Sequence, residues 1–386
     1  MRVIRCDGSP AAVRGLELAV RTVLDGGESL APLGPEEAPP RRDPGPANII
    51  VTTSGSTAQP KRVQLSADAL RASAAATHVR LGGPGRWLLA LPAQHVAGLQ
   101  VLVRASLAGT ETAVLDLRGG FDPAEFGAAA RLLSGRHRCY TALVPTQLAR
   151  LLDVDPGALT GFDGVLLGGA AAPNGLVQRA RTAGVPVVTT YGMTETAGGC
   201  VYDGWPLDGA QVRVQAAGST PAGSTPAGSI VGRIELTGPM LATGYLDAPA
   251  EAMAAFRNGW FRTSDLGRLD EQGRLQVLGR ADDIIVTGGV NVSPAEVEAV
   301  LTSLPGVAGA CVVGLPDPEW GQRVAAAVVP AEPARPPDPE ALRAAARSQL
   351  TGAQTPKEIV LLDALPLRGV GKPDRGAVRA LLADAL

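Results

Sequence analysis

The stretch TTSGSTAQPK, residues 52–61, follows the apolar run NIIV at 48–51 and combines small, hydroxyl-bearing residues with one lysine. Lysine occurs in this chain only at positions 61, 357 and 372, although Lys and Arg together number 35. A lysine carries a compact point charge, whereas an arginine carries a planar fork of donors. The sequence therefore indicates that a compact cation is required directly after a strand-like segment.

The loop at 52–61 has the chemistry that phosphate groups need, but it contains no GxxxxGK[ST] motif. Small residues leave backbone N–H groups accessible, and the hydroxyls and Lys61 add donors and a positive charge. A Ser/Thr/Gly-rich surface turn has a similar composition. The loop alone leaves both interpretations open.

Composition excludes several classes of protein. The chain has 386 residues, which predicts two or three domains, and 45% hydrophobic residues, which is enough for large cores. A net charge of −2 argues against a nucleic-acid binder. Cys6, Cys139, Cys200 and Cys311 are scattered and favour free thiols over a zinc site. Neither a signal peptide nor an apolar run of roughly 18 residues is visible, so we expect a cytoplasmic protein.

Residues 48–200 alternate short apolar runs with helical patterns. This alternation predicts parallel sheets covered by helices on both faces, with ligands at the carboxyl ends of strands. The predicted strands are 48–53, 86–92, 112–117, 140–145, 163–169 and 186–192, and the predicted helices are 66–79, 96–109 and 122–135. Ser66 is the expected N-cap of the first helix. The loop at 52–61 is expected to leave the end of one of these strands.

After residue 205 the pattern changes to shorter β segments and then to a small α+β unit. Strands are expected at 210–217, 228–238 and 273–279, and the repeat GSTPAGSTPAGS at 218–229 is expected to form a hairpin tip. From about residue 281, the segments 310–316 and 323–330 predict strands, and 293–301 and 338–350 predict helices. Ser293, Pro294 and Glu296 form a capping-box pattern. The boundary of the small unit is predicted near 279–283.

Four further motifs bear residues that suit nucleotide chemistry. YGMTET at 191–196 sets Tyr191, whose ring can stack on a purine, near Glu195, whose carboxylate can hold Mg²⁺. Asp265 in WFRTSDLG can accept from ribose hydroxyls, and Arg280 can donate to the same sugar. Lys372 lies in a glycine-flanked turn near the C-terminus. Each motif taken alone is more often structural than functional.

Taken in order, the motifs resemble those of the adenylate-forming superfamily of acyl-CoA synthetases, peptide-synthetase adenylation domains and beetle luciferases. The resemblance covers residues 48–376 and rests on TTSGSTAQPK, QHVAG at 94–98, YGMTET, the two segments WFRTSDLG and GRADDIIVTGGVNVSPAEVE, and GVGKPDR at 369–375. Two departures stand out. Ala58 replaces a glycine usual in the phosphate loop, and only about 47 residues precede that loop, so an N-terminal sub-domain is expected to be shortened.

The resemblance implies an α/β fold with a large N-terminal domain over 1–279, a hinge at 280–282 and a small mobile α+β domain over 283–386. The large domain would combine mostly parallel sheets, flanked by helices, with a β-rich sub-domain. It also implies ATP, Mg²⁺ and CoA as cofactor and co-substrates. The implied ATP-binding residues are Thr53, Ser54, Gly55, Ser56, Thr57, Lys61, Gly169, Tyr191, Gly192, Met193, Thr194, Asp265 and Arg280.

The same resemblance assigns roles within the implied reaction. Glu195 would bind Mg²⁺, Lys372 would bridge the substrate carboxylate and the α-phosphate, and Asp282 would be the hinge residue. Thr194 and His95 are further candidate catalytic residues. Rotation about the hinge would withdraw Lys372 and bring Gly288 and Gly289 to the path of the CoA thiol.

The segments 91–110 and 195–209 resemble the o-succinylbenzoate–CoA ligases of menaquinone synthesis, in particular their short actinobacterial members. This resemblance places His95, Arg104, Gly198 and Gly199 at the acyl group. Lone histidines in loops more often serve packing, which is the alternative for His95. Arg104 stands in an apolar helical segment, where a cation must be paired. Its partner would be either a protein carboxylate or the second carboxylate of a dianionic substrate.

Three classes of function remain at this point. They are an o-succinylbenzoate–CoA ligase, an adenylating enzyme for another acid or for a carrier-protein thiol, and a non-catalytic nucleotide-binding relative. The presence of Lys372, Glu195 and Asp265 argues against the third class. No nucleic-acid partner and no membrane insertion are expected, and homo-oligomerisation is left open.

Overall fold

The structure is a computed structural model that describes residues 1–53, 60–133, 135, 137–216, 231–368 and 372–385. Ser54, Gly55, Ser56, Thr57 and the repeat at 218–229 lie outside the described residues. Within those ranges, each helix is too short or too polar to cross a membrane. The fold combines α and β elements in several separate sheets, as the sequence predicts.

The first sheet contains the strand that precedes the phosphate loop. Its elements are β1 (Arg2–Arg5), α1 (Pro10–Leu24), β2 (Leu30–Leu33), β3 (Asn48–Thr52) and β4 (Arg62–Ser66), and α2 (Ala67–Arg80) follows. β1, β2 and β3 are parallel, whereas β4 runs antiparallel to β3. β3 therefore has one parallel neighbour, as expected, but it belongs to a different sheet from the strands of residues 86–193. β3 and β4 are consecutive in the chain and run antiparallel. The parallel strands on the other side of β3 come from the first 47 residues, which form the unit β1–α1–β2.

The second sheet is the predicted parallel sheet. Its elements are β5 (Arg86–Leu89), α3 (Val96–Leu107), β6 (Ala113–Val114), α4 (Pro123–Leu133), β7 (Cys139–Leu143), α5 (Pro145–Val154), α6 (Gly157–Thr160), β8 (Gly164–Leu167), α7 (Asn174–Thr182), β9 (Val187–Met193), β10 (Gly198–Tyr202) and β11 (Trp205–Pro206). The strand order is β11-β10-β9-β8-β7-β5-β6, parallel from β9 to β6. β10 and β11 add antiparallel pairs at one edge. The strand predicted at 112–117 is reduced to two residues.

A third, antiparallel sheet follows. Its elements are β12 (Gln211–Ala216), β13 (Gly232–Thr237), β14 (Gly244–Tyr245), α8 (Pro249–Ala255), β15 (Phe256–Arg257), β16 (Trp260–Leu269) and β17 (Leu275–Arg280). β14 is the exception, since it leaves this sheet and pairs with β4 in the first one, with Tyr245 opposite Val63. The sequence did not predict β14 or α8.

The remaining elements follow a single 3-10 turn at Ala281–Asp283. They are β18 (Ile285–Thr287), β19 (Val290–Val292), α9 (Pro294–Ser303), β20 (Val307–Asp317), β21 (Gly321–Pro330), α10 (Pro339–Arg347), β22 (Glu358–Leu361), β23 (Leu367–Arg368), β24 (Lys372–Pro373) and α11 (Arg375–Ala385). β18 to β22 form one sheet, and β23 pairs with β24. Residues up to Arg280 and residues from Ile285 therefore build different sheets.

Local side-chain chemistry explains where two helices begin. Ser66 accepts from the Ala69 N–H at 3.1 Å and caps α2, as predicted. Ser293 accepts from the Glu296 N–H at 3.3 Å and caps α9. The reciprocal half of the predicted capping box is wrong, because a Glu296 oxygen instead lies 3.5 Å from Gln354 Nε2. Tertiary contact with the segment after α10 therefore outcompetes the local bond.

Apolar residues pack against both faces of the second sheet. Along β5, Trp87 and Leu89 point to one face and Leu88 to the other, and all three are buried. This alternation follows from the two-residue period of a strand. Helices cover both faces, which buries the middle of the sheet and leaves the carboxyl ends of its strands as the accessible edge. The four cysteines are buried free thiols, as expected.

Candidate active site

A cavity of about 1560 Å³ opens at the carboxyl ends of β8 and β9. It extends from the end of β3 to the segment Pro373–Gly376, so both ends of the motif series contribute to it. The residues singled out from the sequence that line it are Thr53, Lys61, His95, Arg104, Gly169, Tyr191, Gly192, Met193, Thr194, Glu195, Gly198, Gly199, Asp265 and Arg280. Motifs spread over more than 200 residues thus meet in one cavity.

Glycines let the two sides of the cavity edge approach closely. A Cβ atom on Gly192 would lie 2.1 Å from the Gly198 carbonyl oxygen. Gly198 itself has a φ of +98°, in the region that favours glycine. Gly199 lies opposite Gly192 on the neighbouring strand. The three glycines therefore allow β9 and β10 to turn tightly around the Thr194–Thr196 3-10 turn that carries Glu195.

Tyr191, Asp265 and Arg280 are brought together by pairing across β9, β16 and β17. The Tyr191 hydroxyl donates to Asp265 Oδ2 at 2.8 Å. Asp265 lies opposite Arg280 in the β16–β17 register. Burial and the adjacent Asp265 raise the pKa of Tyr191 well above its ordinary value, so this phenol remains a donor at neutral pH. An aromatic ring, a carboxylate and a guanidinium thus share one wall of the cavity.

Glu195 has a partner that sequence reasoning missed. The Tyr245 hydroxyl donates to Glu195 Oε1 at 2.9 Å. Lys61 Nζ lies 4.8 Å from the centre of the Tyr245 ring and 2.8 Å from Glu251 Oε2. Burial and Glu195 raise the pKa of Tyr245, which keeps its proton on the phenol. A signal was present, because the chain has only four tyrosines and three of them, Tyr191, Tyr202 and Tyr245, line the cavity.

Arg104 is 3% exposed on α3, and its guanidinium faces the cavity. Its Nη2 lies 3.4 Å from the Tyr202 hydroxyl, and its Cζ lies 5.1 Å from the centre of the Trp87 ring. Burial lowers the pKa of Arg104, and Tyr202 partly opposes this shift. Arg104 Nε is buried without a hydrogen-bond partner. Over the described ranges no carboxylate pairs with Arg104, so the alternative of a fixed protein salt bridge is not supported.

Gln100 is a second cavity residue that the sequence analysis did not single out. It lies one helical turn before Arg104 and is fully buried. Its Nε2 lies 3.5 Å from the Leu70 carbonyl, while its Oε1 has no partner within the described part of the chain. The available sequence signal was a polar residue within an apolar helical segment. It pointed to Gln100 as well as to Arg104, but only Arg104 was predicted as a site residue.

His95 immediately precedes α3 and is half-buried. Its carbonyl accepts from the Leu99 N–H at 2.9 Å, and its own N–H donates to the Pro92 carbonyl at 3.3 Å. The expected helix start near Val96 is confirmed. His95 therefore enters the cavity from the turn before the helix, whereas Arg104 enters from within it.

Asp282, Gly288 and Gly289 are not among the described residues that line the cavity. Asp282 lies in the 3-10 turn, where its Oδ2 is 3.0 Å from Arg280 Nη2. Gly288 and Gly289, with φ of +56° and +78°, form the two-residue turn between β18 and β19. Lys372 is paired with Arg368 in the β23–β24 hairpin, next to the cavity-lining Pro373.

The chain belongs to the family of AMP-binding enzymes. The sequence profile of that family, the AMP-binding enzyme, matches residues 7–246, and the AMP-binding enzyme C-terminal domain matches residues 296–372. The chain is 48% identical over 344 residues to a Mycobacterium tuberculosis (strain CDC 1551 / Oshkosh) protein named probable 2-succinylbenzoate–CoA ligase. That alignment covers 87% of this chain and 85% of the relative.

Two solved structures of o-succinylbenzoate CoA synthetase (MenE) from Bacillus subtilis resemble the fold. The complex with the acyl-adenylate intermediate OSB-AMP has a TM-score of 0.75 at 28% identity and covers 94% of this chain and 80% of that one. The complex with ATP and magnesium ion has a TM-score of 0.74 at 28% identity, with 94% and 81% covered.

The buried His78 predicts an acid-sensitive stability. Burial and nearby Arg104 lower the pKa of His78 from 6.5 to about 4. As pH falls from 6.5 towards 4, the unfolded chain binds a proton that the folded chain does not, so stability decreases by up to about 3 kcal/mol. Urea unfolding of His78→Phe across this range should show a shallower pH dependence than the wild type. His137→Phe removes an exposed imidazole and is the control; equal slopes for all three proteins would contradict the prediction.

Proposed function

We propose that this chain is an o-succinylbenzoate–CoA ligase. It uses ATP to convert the succinyl carboxylate of o-succinylbenzoate into an acyl-adenylate and pyrophosphate, and then forms the CoA thioester with release of AMP. The observation that carries the assignment is the buried Arg104, which lines the same cavity as Tyr191, Glu195 and Asp265 and has no carboxylate partner among the described residues. The names of the relatives support it. Because ATP and CoA are available in the cytoplasm, we propose that the reaction takes place there.

In this proposal the nucleotide lies along the carboxyl ends of β8 and β9. The Tyr191 ring stacks on adenine, and Asp265 and Arg280 hold the ribose hydroxyls. We assign the β- and γ-phosphates to the loop 53–61, whose described residues Thr53 and Lys61 line the cavity. Gly169, Gly192, Met193 and Thr194 supply backbone and hydroxyl contacts along the same edge. Parallel sheets place ligands at this edge because strand ends and helix starts leave backbone groups unpaired there.

Glu195 fits a magnesium ion that is held mainly by ATP. Mg²⁺ prefers oxygen ligands and is usually bound through one or two carboxylates together with substrate phosphates and water. Glu195 faces the cavity with one oxygen bonded to Tyr245. The described residues contain no cluster of three or more His, Cys, Asp or Glu that would hold an ion without a substrate. When bound, the ion would offset negative charge on the phosphate oxygens.

Little covalent chemistry falls to the protein in the first step. A substrate carboxylate oxygen attacks the α-phosphorus while the bond from that phosphorus to the pyrophosphate oxygen breaks. The protein contributes by aligning the two anions and by placing positive charge where their repulsion is greatest. We assign that charge to Lys372 and the alignment of the acyl group to His95, Gly198 and Gly199. Thr194 lies beside Glu195 and supports the phosphate contacts.

The second step requires a different arrangement of the small domain. The CoA sulfur attacks the acyl carbon, the bond to the AMP oxygen breaks, and the thiol proton is released. We propose domains at 1–279 and 283–386, joined by a hinge at 280–282. Rotation at Asp282 replaces Lys372 by the Gly288–Gly289 turn at the thiol path. The change of sheet between Arg280 and Ile285 supports this division.

Arg104 is the proposed partner of the benzoate carboxylate, which stays an anion throughout the reaction. A guanidinium can bond a carboxylate through two parallel hydrogen bonds. Within the described residues its Nε is buried without a hydrogen-bond partner, and its side-chain contacts are the Tyr202 hydroxyl and the Trp87 ring rather than a carboxylate. A substrate carboxylate would supply the missing charge.

The substrate assignment predicts pyrophosphate release with o-succinylbenzoate well above that with other aryl or fatty acids, and AMP release only when CoA is added. Arg104→Lys keeps the charge but loses the fork, so kcat/KM for o-succinylbenzoate should fall steeply while ATP affinity hardly changes. With an analogue that lacks the benzoate carboxylate, kcat/KM should fall steeply for the wild type and little for the variant, since both changes remove the same interaction.

Arg86→Lys is the matched control, because Arg86 is bonded to the Leu133 carbonyl and does not line the cavity. If the losses in kcat/KM caused by the variant and by the analogue are additive, they report different interactions, and Arg104 would have a packing role only. Equal pyrophosphate release with another acid, or thioester formation on a carrier protein but not on CoA, would favour the alternative ligases.

Lys372→Ala should abolish adenylate formation and spare thioester formation from supplied acyl-adenylate. Loss of one charge-stabilising contact at a transition state costs about 3 kcal/mol or more. Stopped-flow measurement of the two half-reactions checks this. Arg379→Ala removes an exposed positive charge from α11, the helix that follows β24, and should leave both steps intact. Equal loss of both steps in Lys372→Ala would show that Lys372 supports the fold instead.

Asp282→Pro should slow thioester formation more than pyrophosphate release. Proline fixes φ near −65°, which the 3-10 turn tolerates but a large rotation does not. Asp282→Ala is the control, because it removes the bond to Arg280 without restricting φ. The same half-reaction rates in both variants would place the hinge elsewhere.

A further inference from the structure

Tyr245 contacts two oppositely charged side chains of the site, Glu195 and Lys61. Its hydroxyl donates to Glu195 Oε1 at 2.9 Å, and its ring lies under the ammonium of Lys61 at 4.8 Å. The Ala242 N–H also donates to the Glu195 carbonyl at 2.8 Å, so the segment before β14 holds the backbone of Glu195 as well. Side chain and backbone of Glu195 are therefore fixed by one short segment.

We propose that Tyr245 is a positioning residue for the metal-binding carboxylate of Glu195, an inference that rests on the proposed function. The phenol occupies Oε1 and thereby fixes the rotation of the carboxylate. Oε2 is then directed to the ion and the phosphates. Groups that orient a metal ligand through hydrogen bonds typically affect metal affinity or activity by roughly 10–100-fold.

The position of Tyr245 is rigid enough for this role. Tyr245 is 8% exposed, and its ring packs edge-on against Phe256 with centroids 5.9 Å apart. Its backbone pairs with Val63 on β4, the strand that follows Lys61. A side chain held by a strand and by core packing transmits its geometry to its partner without the entropy loss that a flexible side chain would incur.

Packing alone does not account for the hydroxyl. Phenylalanine would fill the same core contacts, and a carboxylate at the cavity could be solvated instead. The hydroxyl faces the cavity and is directed at the one carboxylate proposed to bind the ion. The geometry thus separates a packing function of the ring from an orienting function of the oxygen.

Tyr245→Phe tests this separation in the full-length protein. ATP binding is measured by calorimetry at increasing Mg²⁺ concentration, without acid substrate. We expect the Mg²⁺ concentration that gives half-maximal binding to rise about tenfold in Tyr245→Phe. Thioester formation from supplied acyl-adenylate, which needs no phosphate-bound ion, should keep its wild-type rate. Glu195→Gln should lose the Mg²⁺ dependence of ATP binding.

Tyr140→Phe is the matched control, since it also removes a buried tyrosine hydroxyl, one that donates to the Leu81 and Gly83 carbonyls away from the cavity. It should titrate as the wild type does. A Tyr245→Phe midpoint equal to the wild type, or ATP binding weakened equally at every Mg²⁺ concentration, would overturn the proposal. ATP binding by the wild type that is independent of Mg²⁺ would instead overturn the metal role of Glu195 in the proposed function.

Discussion

A guanidinium enclosed almost completely by protein, with no carboxylate beside it among the described residues, is the constraint on which the proposed acyl end of this cavity depends. Arg104 is 3% exposed, and its contacts are a phenol and an indole face. Burying an unpaired ion costs several kcal/mol even after the protein relaxes. Cation–π contact and one long hydrogen bond recover only part of that cost. The fold is therefore poised to gain free energy when an anion enters.

The same constraint extends to the neighbours of Arg104. His78 lies near Arg104 and stays neutral, because a second buried positive charge would add repulsion to desolvation. The Tyr202 hydroxyl accepts a hydrogen bond from Arg104 Nη2 and shares another, of 3.0 Å, with the Thr77 hydroxyl. These contacts run from α2 through β10 to α3. The side chains around Arg104 are therefore held by helices and a strand. In the proposed function, selectivity for a dianionic acid depends on the fixed positive charge of Arg104.

The sequence was informative where a residue type is rare or a local rule is strong. The rarity of lysine, with three in 386 residues, marked Lys61, and the YGMTET motif marked Tyr191. Hydrophobic runs and Ser66 located the strands and the first helix of the parallel sheet. The sequence could not assign β3 to a different sheet, because pairing partners depend on distant segments. Tyr245 was missed for the same reason, since it lies beside Glu195 in a fold where β14 pairs with the distant strand β4.

The two ends of the cavity solve opposite electrostatic problems. The proposed acyl end holds a cation, Arg104, with no anionic partner among the described residues, whereas the proposed phosphate end holds Glu195, an anion whose charge must not repel ATP. The Tyr245 hydroxyl stabilises that carboxylate through one oxygen. Lys61, over the ring of the same tyrosine, keeps positive charge nearby and pairs with exposed Glu251. An ion pair at the surface is weak, so Lys61 can exchange Glu251 for a phosphate at little cost. If the proposed assignments hold, the positive charge of Lys61 is loosely paired where ATP would bind and that of Arg104 is rigidly held where the acid would be recognised, an arrangement that favours nucleotide exchange and discrimination between acids.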